Sequence, residues 1–336
     1  MRRGSIVQMV VIGILSGAIA TAIALAIPWM PVTASEQADR IEFTYWFATV
    51  ISLFVFAVVA AVLIYEVINF RVKPGDLSDG PPVHGHTTLE IVWTVIPTIL
   101  VTAISIVSAV VLAQNSKAGA NPLKIGVVAQ QFAWHFTYDN GGTFPVLRLP
   151  VDRTVELNIT ANDVIHSFWV PQFSQKQDAV PGNPQTLVIT PTRTGTFPVI
   201  CTELCGLGHS LMRSEAIVMT QGEYDDWYAS SGRPTGGGGG GGPTPEETFT
   251  TNGCGGCHTF KPIPSAVGTI GPSLDELSGP AKLAGMSLEE FIHQSIVDPE
   301  AVVPPGYQPG TMPSFEGRIP PDELDALVQY LAENTA

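Results

Sequence analysis

The chain has 336 residues, of which 45 % are hydrophobic and only 14 % charged, with a net charge of −14. Soluble domains carry roughly 25 % charged residues, so this composition argues against a purely water-soluble protein and for membrane segments. The acidic balance argues against a nucleic-acid partner, and the length suits roughly two or three domains.

Three apolar runs open the chain. Met1-Arg2-Arg3 precede the first, Ile6 to Ile27, which ends in small residues near Val32-Thr33-Ala34. Residues 1–34 therefore read as a signal peptide or a first membrane anchor, with the signal peptide favoured. The second run, Phe47 to Ile64, meets no charge until Glu66, and the third, Ile91 to Ala113, holds only apolar residues, Thr, Ser and one proline. Residues 41–115 are expected to form a hairpin of two spanning helices. Arg2 and Arg3 flank the first run, and Arg71 and Lys73 lie between the second and third, which puts these residues in the cytoplasm and everything after about Gln114 outside. Glu90 sits at the cytoplasmic end of the third run. It is either a functional intramembrane carboxylate or a solvated interfacial one.

From Lys124 to Met219 the pattern turns to period two between Gly, Pro and Asn clusters, in segments such as LKIGVVAQQFAWHFTY, RTVELNITA, QTLVITPTRTGTFPVIC and SEAIVMT. Residues 122–230 are expected to form a small all-β sandwich or barrel, closed by a helix near Glu223 to Ala229. Residues 231–245, with seven consecutive glycines, make a flexible linker. Residues 246–336 read as a separate helical domain with helices near 245–250, 274–278, 287–296 and 321–333. From Gln221 onward sixteen acidic residues meet four basic ones, so nearly all the net charge lies in this tail.

All four cysteines fall outside the membrane, in two close pairs. Cys254-Gly-Gly-Cys257-His258 is a C-x-x-C-H sequence, in which two thiols can bond to porphyrin vinyl groups while the imidazole reaches the iron. A redox disulfide would want a βαβ context, and zinc would need further ligands near by, so covalent haem c is the favoured reading. For the sixth iron ligand the candidates are Met286, which opens an amphipathic helix, Met312 in an extended GTMPSF loop, and His293. The tail resembles small monohaem cytochromes c, in which C-x-x-C-H is followed by Gly-Pro-x-Leu, here Gly271-Pro272-Ser273-Leu274, and by a late Met-Pro, here Met312-Pro313. The resemblance implies Met312 and a class I cytochrome c fold.

The other pair lies in CTELCGLGHSLM, from Cys201 to Met212. A Cys201–Cys205 disulfide would leave His209 and Met212 unexplained. Zinc could close a tetrahedron on Cys201, Cys205, His209 and the distant His166. Copper uses the thiolates, imidazole and thioether together, and a second thiolate allows two ions to be bridged.

This loop, together with Asp163-Val-Ile-His166-Ser-Phe-Trp-Val-Pro171, resembles the copper domain of cytochrome c oxidase subunit II, a cupredoxin-like fold; the loop alone also occurs in nitrous oxide reductase, which lacks the membrane hairpin. The resemblance implies a dinuclear CuA centre with Cys201 and Cys205 as bridging thiolates, His166 and His209 as terminal imidazoles, Met212 as a weak ligand and Glu203 ligating through its carbonyl. HGHTTLEIVWTVIPTIL, from His84, is similar to the subunit's second membrane helix, which implies that Glu90 lies at the entrance of a proton pathway. In Gln131-Phe-Ala-Trp134-His-Phe-Thr-Tyr138, Phe132 and Ala133 stand where the family's aromatic electron-entry strand has other aromatics, and Trp134 remains as an entry candidate. Subunit II fused to a cytochrome c resembles caa-type oxidases.

The implied route is external reductant, haem c, CuA, then the haem–copper subunit I, with subunit III as a further partner. A cytochrome bc complex or a soluble cytochrome c would be the reductant. The implied location is the bacterial plasma membrane, multi-pass, with both redox domains outside. Two rivals are a copper chaperone, whose histidine would lie far downstream of its cysteines, and a copper-less quinol oxidase subunit.

Overall fold

The computed structural model describes residues 3–71, 75, 82, 84–231 and 243–336; Arg2, Lys73 and the seven linker glycines lie outside the described residues. Helices α1 (Arg3–Ala26), α2 (Glu36–Asn69) and α3 (Thr87–Asn115) are each long and apolar enough to cross a membrane. With 34 residues, α2 extends about 51 Å at 1.5 Å per residue. That exceeds a hydrocarbon core of about 30 Å, so its charged start, with Glu36, Asp39, Arg40 and Glu42, reaches past it. Small residues let α1 and α2 meet: a Cβ on Gly13 would lie 3.3 Å from that of Ala61, and one on Gly17 3.2 Å from that of Ala57.

Helix α3 runs unbroken through Pro97. Around the proline, the hydroxyls of Thr94, Thr98 and Thr102 donate to the carbonyls four residues back at 2.7–2.8 Å. Its N-terminus closes reciprocally. His86 Nδ1 accepts from the Leu89 amide at 3.2 Å, while Glu90 Oε1 accepts from the His86 amide at 3.0 Å.

Residues 34–37 and 118–336 form a second compact unit. Its first part is a sandwich of ten strands: β1 (Leu123–Gln130), β2 (Ala133–Tyr138), β3 (Thr143–Phe144), β4 (Leu147–Pro150), β5 (Val155–Ala161), β6 (His166–Val170), β7 (Gln175–Ala179), β8 (Gln185–Ile189), β9 (Gly195–Cys201) and β10 (Arg213–Met219). They form two five-stranded sheets, ordered β3-β2-β1-β5-β8 and β4-β10-β9-β6-β7. Alternate residues face the shared core, such as Ile125 and Val127 of β1, Leu157 and Ile159 of β5, and Trp134 and Phe136 of β2. The stretch from 123 to 138 is a hairpin rather than one strand, turning at Gln131-Phe132. No Gly, Asn or Pro marks that turn, and a tertiary bond from the Gln131 amide to Asp163 Oδ2 at 2.8 Å holds it.

Two further pieces clasp the sandwich. The Ala34 amide bonds to the Gln172 carbonyl and the Glu36 amide to the Thr190 carbonyl, so residues 34–37 pair with the β domain. Helix α4 (Gln221–Ser231) lays Trp227 against Tyr138 and Phe144, with the Arg148 guanidinium 5.1 Å from its ring centre.

The C-terminal part is helical: α5 (Pro245–Thr251), the single turn α6 (Cys254–Cys257), α7 (Ser278–Ala284), α8 (Leu288–Val297) and α9 (Pro321–Glu333). A capping box of Thr244 and Glu247 starts α5. On α9, Leu324, Leu327, Val328 and Leu331 are buried at helical spacing against Phe249, Phe260 and Ile292. The helix expected at 274–278 is corrected: that stretch is a turn, and α7 begins where it was expected to end. Asp275 explains the displacement, because its carboxylate is engaged by the Lys261 amide at 2.9 Å and by Ser273 Oγ at 3.2 Å, which favours a turn over a helix.

Candidate metal and haem sites

Strand pairing creates the first site. Strand β6 lies antiparallel to β9, with Phe168 opposite Cys201, which brings His166 beside a cysteine far along the chain. His166, Cys201 and Cys205 place their ligand atoms within 4.8 Å of one another, and all three are buried. The two Sγ atoms are 3.8 Å apart, too far for a disulfide and suited to sharing metal ions. His166 Nδ1 lies 3.9 Å from Cys201 Sγ, and His209 Nδ1 lies 3.6 Å from Cys205 Sγ. Met212 Sδ approaches His166 Nδ1 at 3.1 Å and Cys205 Sγ at 3.9 Å, and the Glu203 carbonyl is 3.3 Å from Cys201 Sγ. All six expected copper-site residues are thus together. An imidazole beside each thiol, with a thioether and a carbonyl at the flanks, is a donor set suited to soft transition-metal ions.

The electrostatics follow from the crowding. The hydrogen bond from Cys205 draws the Cys201 thiol far below the ordinary thiol range, and the same bond, with burial, pushes Cys205 up. Burial alone would lower His166, but its bonds to Asp163 and Cys201 outweigh it and raise the imidazole. Burial likewise acts to raise Asp163, and the bonds from His166 and from the Gln131 and Val164 amides bring it down.

Trp134 is 1 % exposed, packed edge-on to Phe168 at 5.5 Å and to His166 at 6.3 Å. The period-two pattern of β2 turns this entry candidate inward, so it offers no face to an external protein. Two residues earlier, Phe132 lies on the ligand loop. A Cβ at Gly208 would come within 2.5 Å of its ring, and one at Gly206 within 3.1 Å. Gln131 Nε2 donates to the Cys205 carbonyl at 2.5 Å. Neither Gln131 nor Phe132 is legible as a site residue from spacing alone.

The second site is a cavity of about 340 Å³ in the helical part, lined by Cys254, Cys257, His258 and Met312 and also by Gln131 and Phe132. Its walls are otherwise mainly apolar, as a porphyrin face requires. His258 is buried and donates through Nδ1 to the Pro272 carbonyl at 2.8 Å, which leaves Nε2 as the free ligand atom. Burial lowers its pKa, favouring the neutral imidazole that ligates metal. Burial also pushes Cys254 up to about 12 and raises Cys257, so neither is a reactive free thiolate. Met286 packs against the helical core and His293 is exposed on α8, whereas Met312 reaches the cavity. These residues fit a covalently held haem.

Glu90 lies in the first turn of α3.

Two family profiles match the chain. A profile described as cytochrome c oxidase subunit II, periplasmic domain, matches residues 143–220, and one described as its transmembrane domain matches residues 20–111. Cytochrome c oxidase subunit 2 of Synechocystis sp. is 35 % identical over 272 residues, covering 66 % of this chain and 82 % of that relative. The subunit 2 of Alkalihalophilus pseudofirmus is 31 % identical over 309 residues, covering 88 % and 87 %. The crystal structure of the periplasmic domain of subunit II of cytochrome oxidase of Bradyrhizobium japonicum matches at 27 % identity, with a TM-score of 0.33, over 34 % of this chain and 96 % of that one.

Proposed function

Because the chain belongs to the cytochrome c oxidase subunit II family and provides electron entry to a haem–copper oxidase, we propose that it does so through two centres of its own. One is a haem on Cys254, Cys257, His258 and Met312, the other a CuA pair on His166, Cys201, Glu203, Cys205, His209 and Met212. When bound, these groups supply one-electron chemistry, from an external reductant to haem, to copper, and on to subunit I. The observation that carries the reading is the paired donor geometry, with one histidine nitrogen beside each of two thiols 3.8 Å apart.

The protein's own residues do the rest. Asp163 and the Pro272 carbonyl hold the imidazoles of His166 and His258 in the tautomers that leave the ligating nitrogen free. The burial of Cys201 and Cys205 excludes water from the thiolates. Gln131 and Phe132 line the haem cavity, and Gln131 also bonds to the Cys205 carbonyl of the ligand loop, so these two residues would bridge the two centres within one chain. Helices α2 and α3, with α1 as a signal peptide or further anchor, hold the protein in the bacterial plasma membrane. Both redox domains face outward and Glu90 sits at a proton-pathway entrance towards subunit I. Subunit III and a cytochrome bc complex or soluble cytochrome complete the proposed partners. The segments follow as 1–34, a hairpin 41–115, a copper domain 122–230, a linker 231–245 and a cytochrome c domain 246–336.

The full chain purified in detergent tests this reading. Two copper ions per chain with a mixed-valence spectrum, and one haem that stays attached on denaturation, are expected. A single copper, bound zinc or a haem released by denaturant overturns it.

A further inference from the structure

The helical domain does not merely follow the copper domain; it rests on it at a defined contact. Arg318 Nη1 lies 3.6 Å from Asp163 Oδ2, with side chains 29 % and 10 % accessible. Asp163 is already the junction of the copper site, since its Oδ1 accepts from His166 Nε2 at 2.9 Å and its Oδ2 from the Gln131 amide at 2.8 Å. Close by, a Cβ on Gly253, the residue before Cys254, would lie 3.0 Å from the Ala133 Cβ and 3.3 Å from the Phe132 carbonyl. The haem cavity therefore opens on the segment whose Gln131 side chain donates through Nε2 to the Cys205 carbonyl.

Arg318 is rigidly presented. Phe315 and Ile319 on either side of it are buried in the helical core, and the Arg318 amide bonds to the Phe315 carbonyl at 3.0 Å. Charge makes the pair informative. Between residues 243 and 336 the basic residues are Lys261, Lys282 and Arg318, in a strongly acidic stretch. Lys261 is engaged within its own domain, 3.8 Å from Asp275. An acidic domain set against a carboxylate would be repelled, and Arg318 places positive charge where the two surfaces meet.

We propose that Arg318 is a positioning residue, a salt-sensitive latch to Asp163 that holds the haem cavity against Gln131 and Phe132 for electron transfer within the chain. The proposal rests on the haem and copper reading above. The step it governs moves one electron: the haem iron is oxidised, the copper pair reduced, and no bond or proton changes hands. The external reductant restores the haem.

The test uses the full chain assembled with its partner subunit, comparing R318K, R318A and R318E with the wild type. Haem-to-copper transfer is followed after photoreduction of the haem, both midpoint potentials are measured, and hydrogen exchange is read at residues 131–133. A partly exposed ion pair and its reversal should slow transfer about threefold in R318A and about tenfold in R318E at low salt, with R318K within about twofold of wild type. Raising salt to about 0.15 M should slow the wild type and leave R318A unchanged. Exchange at 131–133 should rise in R318A and R318E only. Wild-type transfer and exchange in R318E overturn the latch, as does equal slowing in R318K and R318A. The exchange measurement needs no cofactor, so failure of the latch is distinguishable from failure of the haem and copper reading.

Discussion

Asp163 Oδ1 holds His166 by its Nε2 at 2.9 Å while the opposite ring nitrogen, Nδ1, faces Met212 Sδ at 3.1 Å and Cys201 Sγ at 3.9 Å. The carboxylate thereby fixes the imidazole's tautomer and aims its free nitrogen at the sulfurs. Asp163→Asn keeps the shape and loses the charge. Copper affinity, measured by chelator competition, should fall about tenfold or more, in line with the usual effect of removing such an outer partner. Unchanged affinity would show that His166 needs no such support.

Gly271 is pressed against the proposed haem ligand. A Cβ there would lie 2.5 Å from His258 Cε1 and 2.7 Å from its Nδ1, so Gly271→Ala must move the ring and break its bond to Pro272. Such overpacking costs about 1–3 kcal/mol. The variant should unfold at lower denaturant and show a larger high-spin fraction in its haem spectrum. A wild-type spectrum would mean that the ring can yield without leaving the iron.

His135 gives an acid dependence. Burial lowers its pKa from 6.5 to about 4, and its Nε2 is buried without a partner among the described residues. The folded state therefore favours the neutral ring, and the unfolded chain binds the proton more tightly. The stability this group contributes is fully present above pH 6.5 and is lost as the pH falls towards about 4, up to about 3 kcal/mol. Chemical denaturation at pH 7.5 and pH 4.5 should show a smaller loss for His135→Phe than for the wild type. Equal losses would place the proton uptake elsewhere.

Met212 is fully buried, and its sulfur approaches both His166 and Cys205. Met212→Leu conserves volume, so the fold should lose less than about 1.5 kcal/mol. Two copper ions should remain, with a shifted midpoint potential. Loss of one ion would make the thioether an essential ligand instead of a weak one.

Much of this was legible because it is local. An uncharged apolar run long enough to span a bilayer, a period-two pattern, a glycine run and C-x-x-C-H are each contained in a short window. So are Cys201, Cys205, His209 and Met212, which one loop brings together. Other features depended on remote partners. Nothing in Gln131-Phe132 announces a hairpin, because Asp163 holds that turn. The helix expected at 274–278 gave way to the bonds Asp275 makes with Lys261 and Ser273. Trp134 and Phe132 are both aromatic, but Trp134 lies on the inward face of β2 while Phe132 sits in the turn before it, against the ligand loop.

By itself, then, the sequence determined the membrane helices, the β domain and the local ligand spacing, since hydropathy, periodicity and covalent proximity act over a few turns of chain. The tertiary structure alone decided that β6 lies beside β9, that Asp163 holds the turn at Gln131, and that Arg318 meets Asp163. Those contacts join residues far apart in the chain, and their geometry is set by how sheets and helices pack, which no short window of sequence encodes.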